Sequence, residues 1–135
     1  MAEIDGVTFI NDSKATNIDA LEKALLAMGM PVVLLAGGKD KGLDFTGLRP
    51  LLREKVKAAV LIGQMTEKLF SAWNSAVPCV RATTLADAVE QAHKLARPGD
   101  AVLLSPGCSS FDMFKDFEDR GNQFRTLVQA RAKQN

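Results

Sequence analysis

"PVVLLA", residues 31–36, decides the fold. The run is apolar throughout and rich in branched side chains, with none of the polar alternation of a strand that has one wet face, so it suits a strand buried on both sides. Four other segments read the same way: "VTFI" (7–10), "AAVLIG" (58–63), "PCVRA" (78–82) and "AVLLS" (101–105). Helical spacing fills the intervals. Ile18, Leu21, Leu25 and Met28 form one apolar stripe, and Leu85, Ala88, Val89, Ala92 and Leu95 form another. Further helices are expected over residues 67–75, over a short stretch at 48–53, and over about 118–132 with Phe124, Leu127 and Val128 inward. Strands alternating with helices through short connectors imply right-handed crossover units. The expected fold class is therefore α/β: a Rossmann-like, mostly parallel sheet of five to six strands with helices on both faces. No repeat, low-complexity tract or linker divides the chain, so residues 1–135 are expected to form a single domain.

Composition agrees and narrows the function classes. A chain of 135 residues can bury about two-thirds of its unfolded surface and fold without staples. Apolar residues make up 47% and charged residues 24%, which excludes a disordered or fibrous class. A formal charge of +1 with interleaved signs offers no broad basic face, so neither nucleic acid nor an anionic membrane is expected as a partner. The longest apolar stretch, Met30 to Ala36, is far short of a membrane span, and the start "MAEIDGV" lacks the basic and apolar regions of a signal peptide. A cytoplasmic protein is expected. Cys79 and Cys108 have no metal-ligand spacing and read as reduced packing residues, and no metal site is expected.

In open parallel sheets, ligands bind beyond the carboxyl ends of the strands, where helix N-termini and strand-to-helix loops converge. Three loops at that edge stand out: "NDSKATN" (11–17), "GGKDKGLDF" (37–45) and "SPGCSSFD" (105–112). In the first, Thr16 or Asn17 can cap the following helix, with Asp19 completing a weak capping box with Thr16. Capping explains neither Asp12 nor Lys14, which could face a phosphate-bearing ligand; Lys14 could equally be a solvated surface residue. The second loop fits neither common nucleotide motif. Gly37 and Gly42 have P-loop separation, but Leu43 and Asp44 follow where Lys and a hydroxyl are required, and the loop does not open into a helix as a dinucleotide fingerprint would. A flexible turn with exposed lysines fits it too. In the third, Pro106 ends the strand, Gly107 permits a sharp turn, and free amides around Ser109 to Phe111 at a helix start could cradle a carboxylate. Ser109 or Ser110 capping the helix is the plainer account. A nucleophilic Cys108 or Ser110 lacks a base, since His93, the only histidine, falls on another helix and reads as a surface residue. By the "GQMTE" loop, Thr66 reads as a helix cap.

Taken together, "INDSKATN", "GGKDKGLDF" and "LLSPGCSSFDMFKDFEDRGNQF" resemble, in order and spacing, the C-terminal domain of the Mur ligases, and specifically of their D-glutamate-adding members. The resemblance covers nearly the whole chain. It departs at Gly107 and Ser109, where that group commonly has alanines. It implies that Thr16, Lys41, Ser110 and Phe111 hold the carboxylates of D-glutamate with Phe117 nearby, and that Asp12 and Lys14 face the nucleotide phosphates, Lys14 acting in catalysis. It also implies a three-domain parent that uses ATP and Mg2+ to activate UDP-N-acetylmuramoyl-L-alanine for attack by D-glutamate. On that reading the chain is the third domain with "MAEIDGV" as its leader, has no tightly bound cofactor of its own, and is inactive alone. A stand-alone Rossmann-like nucleotide-binding module and a receiver-like scaffold remain the rival readings from the residues themselves.

Overall fold

Branched apolar runs become strands and the amphipathic stripes become their covers in the computed structural model, which describes residues 2–39, 44–108 and 114–134. The elements are β1 (Ala2–Ile4), β2 (Val7–Asn11), α1 (Ile18–Leu26), β3 (Val32–Gly37), a 3-10 turn (Thr46–Leu48), α2 (Arg49–Lys55), β4 (Val56–Ile62), α3 (Thr66–Trp73), β5 (Cys79–Arg81), α4 (Leu85–Leu95), β6 (Ala101–Leu104) and α5 (Phe117–Gln134). Among the described residues, six strands form one sheet in the order β1-β2-β6-β3-β4-β5. β2, β6, β3, β4 and β5 are parallel to their neighbours, and β1 alone runs antiparallel, against β2.

β1 occupies residues expected to be a mere leader. Asp5 and Gly6 lie between Ile4 and Val7 with φ of 55° and 80°, a two-residue reversal whose positive dihedrals match the twist of a tight hairpin. The other five strands fall where expected, β5 being the shortest of them at three residues.

The strands bury alternate residues on opposite faces, as the period of two requires. Val32, Leu34, Ala36, Ala59, Leu61 and Leu103 join α1, α2 and α3 through Leu21, Leu25, Leu52, Leu69 and Trp73. On the other face Val33, Leu35, Val60, Ile62, Val102 and Leu104 join α4 and α5 through Leu85, Val89, Phe124 and Val128. Each buried Val, Leu, Ile or Phe among them contributes about 1.5–3 kcal/mol by leaving water. The Trp73 indole, fully buried, donates to the Phe45 carbonyl at 3.0 Å and packs edge-on to its ring, so no polar atom is lost in the first core.

The fold places the carboxyl ends of β2, β6 and β3 side by side. The backbone then laces their loops together. The Asp12 amide donates to the Leu104 carbonyl at 2.7 Å, the Ser105 amide to Leu35 at 3.3 Å, and the Gly37 amide to Pro106 at 3.1 Å. The Gly107 amide donates to Ala15 at 2.8 Å. All three loops singled out in the sequence therefore start from one patch of backbone.

Candidate functional site

The loop after β2 turns on its own polar residues. The Asn11 side chain accepts from the Ser13 amide at 3.2 Å, and the Ala15 amide donates to the Asp12 carbonyl at 2.9 Å. Asn17 then caps α1, its side chain accepting from the Ala20 amide at 2.9 Å, so the cap is Asn17 and not a Thr16–Asp19 box. Within this turn Ser13 and Ala15 point inward and are buried, whereas Lys14 between them is exposed. Asp12 is half-buried, with one carboxylate oxygen accepting from the Ser105 hydroxyl at 2.9 Å, a contact that joins the first loop to the third.

Helix α5 closes the other side. Gly121 lets it approach: a methyl there would stand 3.1 Å from the Ser13 Cβ and 3.2 Å from the Asn11 amide. The Asn11 amide donates to the Gly121 carbonyl at 3.0 Å, and the Ser13 hydroxyl to the Phe117 carbonyl at 2.6 Å. Arg120, fully buried, fixes the junction from below. Its guanidinium donates to the Ser13 hydroxyl at 2.9 Å, the Ser13 carbonyl at 2.7 Å and the Cys108 carbonyl at 3.1 Å. One fork from α5 thus holds the first and third loops in register, a geometry that a planar guanidinium can satisfy and an ammonium cannot.

Between loop and helix lies a cleft of about 310 Å³ lined by Asn11 to Lys14 on one wall and by Phe117, Glu118, Gly121, Asn122 and Arg125 on the other. Of the residues expected at the site, Asp12, Lys14 and Phe117 come together here, Phe117 with 39% of its surface exposed. Thr16 belongs to the same loop but does not line the cleft. Lys41, Ser110 and Phe111 lie outside the described residues.

The amide cradle expected at Ser109 to Phe111 lies outside the described residues. At the start of α5, Asp116 accepts from the Asp119 amide at 2.7 Å and Asp119 from the Lys115 amide at 3.1 Å. The amide bond from Lys115, and after it Gln123, holds the Asp119 carboxyl below the ordinary carboxylate range. One expectation needs correction. His93, expected as a surface residue, is 11% exposed at its side chain; Nδ1 accepts from Arg131 at 2.8 Å, Nε2 lies 3.4 Å from Asp5, and the ring packs edge-on to Phe9. It ties α4 to α5 and to the β1–β2 turn. Neither cysteine forms a disulfide, and burial pushes the Cys79 thiol up to about 11, far from reactive.

Asn11, Ser13, Arg120, Gly121, Asn122 and Arg125 were not singled out from sequence. A signal existed for two of them. Arg120 falls in register with Phe124 and Val128, so a charge sits in an apolar stripe, and a glycine follows it inside a helix, where only close approach compensates its low propensity.

Comparison with known proteins agrees with this architecture. The sequence model described as "Mur ligase, glutamate ligase domain" matches residues 1–108. A UDP-N-acetylmuramoylalanine--D-glutamate ligase of Chlorobaculum tepidum is 53% identical over 91% of this chain and 26% of its own length. One of Chlamydia caviae is 47% identical over 95% of the chain and 30% of its own length, so the chain spans roughly a quarter to a third of these relatives. Among solved structures, a crystallised domain described as that of a UDP-N-acetylmuramate:L-alanyl-gamma-D-glutamyl-medo-diaminopimelate ligase from Haemophilus ducreyi superposes with a TM-score of 0.51 at 14% identity, covering 93% of this chain and 95% of that one, a likeness of fold alone. With the family's sequence pattern running over residues 1–108, into the third loop, and with 91% of this chain matched by a ligase relative at 53% identity, the chain belongs to the Mur ligase family as its C-terminal, glutamate ligase domain.

Proposed function

We propose that this domain presents D-glutamate to an activated carboxylate in an ATP-dependent, Mg2+-dependent ligase that extends UDP-N-acetylmuramoyl-L-alanine during peptidoglycan precursor synthesis in the cytoplasm. The observation that carries the reading is the similarity of more than nine-tenths of this chain to part of relatives named UDP-N-acetylmuramoylalanine--D-glutamate ligase, supported by the cleft in which Asp12, Lys14 and Phe117 meet. Lys14 is the cation for developing negative charge at the phosphates. Thr16, Lys41, Ser110 and Phe111, with Phe117 nearby, hold the two carboxylates of the amino acid.

The residues of the cleft fit part of a nucleotide site. Lys14 offers a cation and Asp12 an anchored carboxylate, but no P-loop occurs in the 135 residues. ATP supplies the phosphoryl group that activates the acceptor carboxylate. This chain supplies orientation and charge: positive groups that hold an anionic amino acid beside an anionic acceptor offset their repulsion, and positioning can account for several kcal/mol of barrier. By itself the chain releases no phosphate from ATP.

Steady-state kinetics of the parent enzyme, with each of the three substrates varied in turn, test the assignment. Lys41→Ala removes a charge-assisted contact of about 1.5–3 kcal/mol and raises KM for D-glutamate; Ser110→Ala removes about 0.5–1.5 kcal/mol and raises it less. Lys14→Ala lowers kcat while sparing that constant. An unchanged D-glutamate KM in folded Lys41→Ala overturns the carboxylate assignment.

A further inference from the structure

Most of the basic side chains described outside the cleft are already spoken for. Arg81 forks onto Glu67 at 2.6 and 2.9 Å, Lys57 meets Asp100 at 2.6 Å, and Lys94 faces Glu90 at 3.4 Å. Lys55 donates to the Met28 carbonyl at 3.0 Å and Arg131 to His93 at 2.8 Å. Among the described residues, the side chains of Lys14 and Arg125, like those of Lys23 and Arg53, make no hydrogen bond or ion pair, and of these four only Lys14 and Arg125 open onto the cleft, from opposite walls. The walls themselves are fixed. Asn11–Gly121, Ser13–Phe117 and Arg120–Ser13 lock the loop to the helix, so the two cations stand over a preformed gap and binding an anion between them orders little backbone. Asn122 adds a side-chain amide beside Arg125, one helical turn after Glu118.

We infer that Arg125 is a second cation of the nucleotide subsite, contacting the phosphate chain of a nucleoside triphosphate, or of its diphosphate product, from the α5 side of the cleft opposite Lys14. The inference rests on the nucleotide role given to Lys14 above. A flexible ammonium on the loop and a planar guanidinium on the helix match a chain of phosphates better than a single carboxylate, because the guanidinium engages two oxygens of one phosphate while the ammonium acts as a point charge on the next. Arg125 binds and positions, and no proton passes through it. Its side chain packs into no core: it is exposed, and the core-facing residues of its helix are Phe124 and Val128.

Inorganic tripolyphosphate, titrated at low ionic strength into the isotope-labelled chain, tests this directly. Saturable amide shifts confined to residues 11–14 and 121–126 are expected. Arg125→Gln should weaken the fitted Kd by about three- to tenfold, as loss of one charge-assisted contact at an exposed site requires, with the melting temperature unchanged. Arg125→Lys should recover part of the affinity. Arg53→Gln, a substitution of an exposed cation at the other end of the sheet, should leave Kd as it was. Equal weakening by Arg53→Gln would mean diffuse attraction and would overturn the inference, as would absent shifts or an unchanged Kd in Arg125→Gln. A parallel titration with D-glutamate separates the two readings: loss of the amino-acid response with the tripolyphosphate response intact indicts the carboxylate assignment and leaves Arg125 standing.

Discussion

At the amino end of the parallel strands, Lys55 donates to the Met28 carbonyl at 3.0 Å, and Lys57 meets a buried Asp100 whose carboxylate also accepts from the Arg97 amide at 2.8 Å. At the carboxyl end, Lys14 and Arg125 project into an open cleft without such partners among the described residues. The same chemistry is used in two ways. Lys55 and Lys57 close turns and stabilise the fold, whereas Lys14 and Arg125 keep their charge available. Arg120 stands between the two cases, since it is fully buried and holds loops, but the loops it holds are those of the cleft.

The largest expected effect is at that intermediate residue. Arg120→Ala deletes three hydrogen bonds from a charged group in a fully buried position and should cost about 3–5 kcal/mol of unfolding free energy in urea. Arg120→Lys should recover only part of this, because one ammonium cannot reach both loops. A cost below about 1 kcal/mol would show that the staple is idle and would remove the intermediate case.

Next comes Lys57→Met, at about 1 kcal/mol near neutral pH, discounted because the lysine is 35% exposed at its side chain. Its pH dependence sharpens the point. Burial pushes the Asp100 carboxyl up, but the Lys57 ammonium and the Arg97 amide outweigh it, leaving the group below its ordinary value of 3.8. A carboxyl depressed in the folded state stabilises above that ordinary value and loses the contribution as pH falls through the lower folded one. Denaturation midpoints of the wild type should therefore drop on acidification in that window, and those of Lys57→Met should drop less.

Lys55→Met should cost about 0.5–1 kcal/mol, the range of one part-buried hydrogen bond, read from the shift of the urea midpoint. Smallest of all, Lys14→Ala and Arg125→Ala should leave stability within about 0.5 kcal/mol of wild type. If either cost as much as Lys57→Met in the same assay, the division between fold-holding and ligand-facing cations would fail.

The five parallel strands and their helices were legible because burial on both faces writes an unmistakable run of branched residues, and a helix covering such a sheet writes a stripe. β1 was not, for a physical reason: "AEI" is too short to carry a period, and its evidence lies in the turn, where Asp5-Gly6 is a strong hairpin signal that composition at a chain start conceals. Thr66 looked like a cap, but its hydroxyl donates to the Gly63 carbonyl at 2.8 Å, closing the turn before the helix instead of accepting from it. Of the site, the residues of local motifs were readable, Asp12 and Lys14 among them. Arg120 and Arg125 were not, since a helix more than a hundred residues away in sequence becomes a wall of the cleft only through tertiary packing that no local window contains.

The strand order carries a further consequence for how the chain is made. β6 comes last in the chain among the sheet's described strands, yet it sits between β2 and β3 and bonds to both. Until residues 101–104 leave the ribosome, the early β1–β2 hairpin and the β3–β4–β5 sheet cannot be joined, and each offers a bare strand edge to its neighbours in the crowded cell. Keeping β2 and β3 from pairing with each other, or with another copy, falls to the interval before β6 arrives. A nascent chain arrested before residue 100 is therefore the species most exposed to aggregation, and release of the final strand is the step that commits the domain to its native sheet.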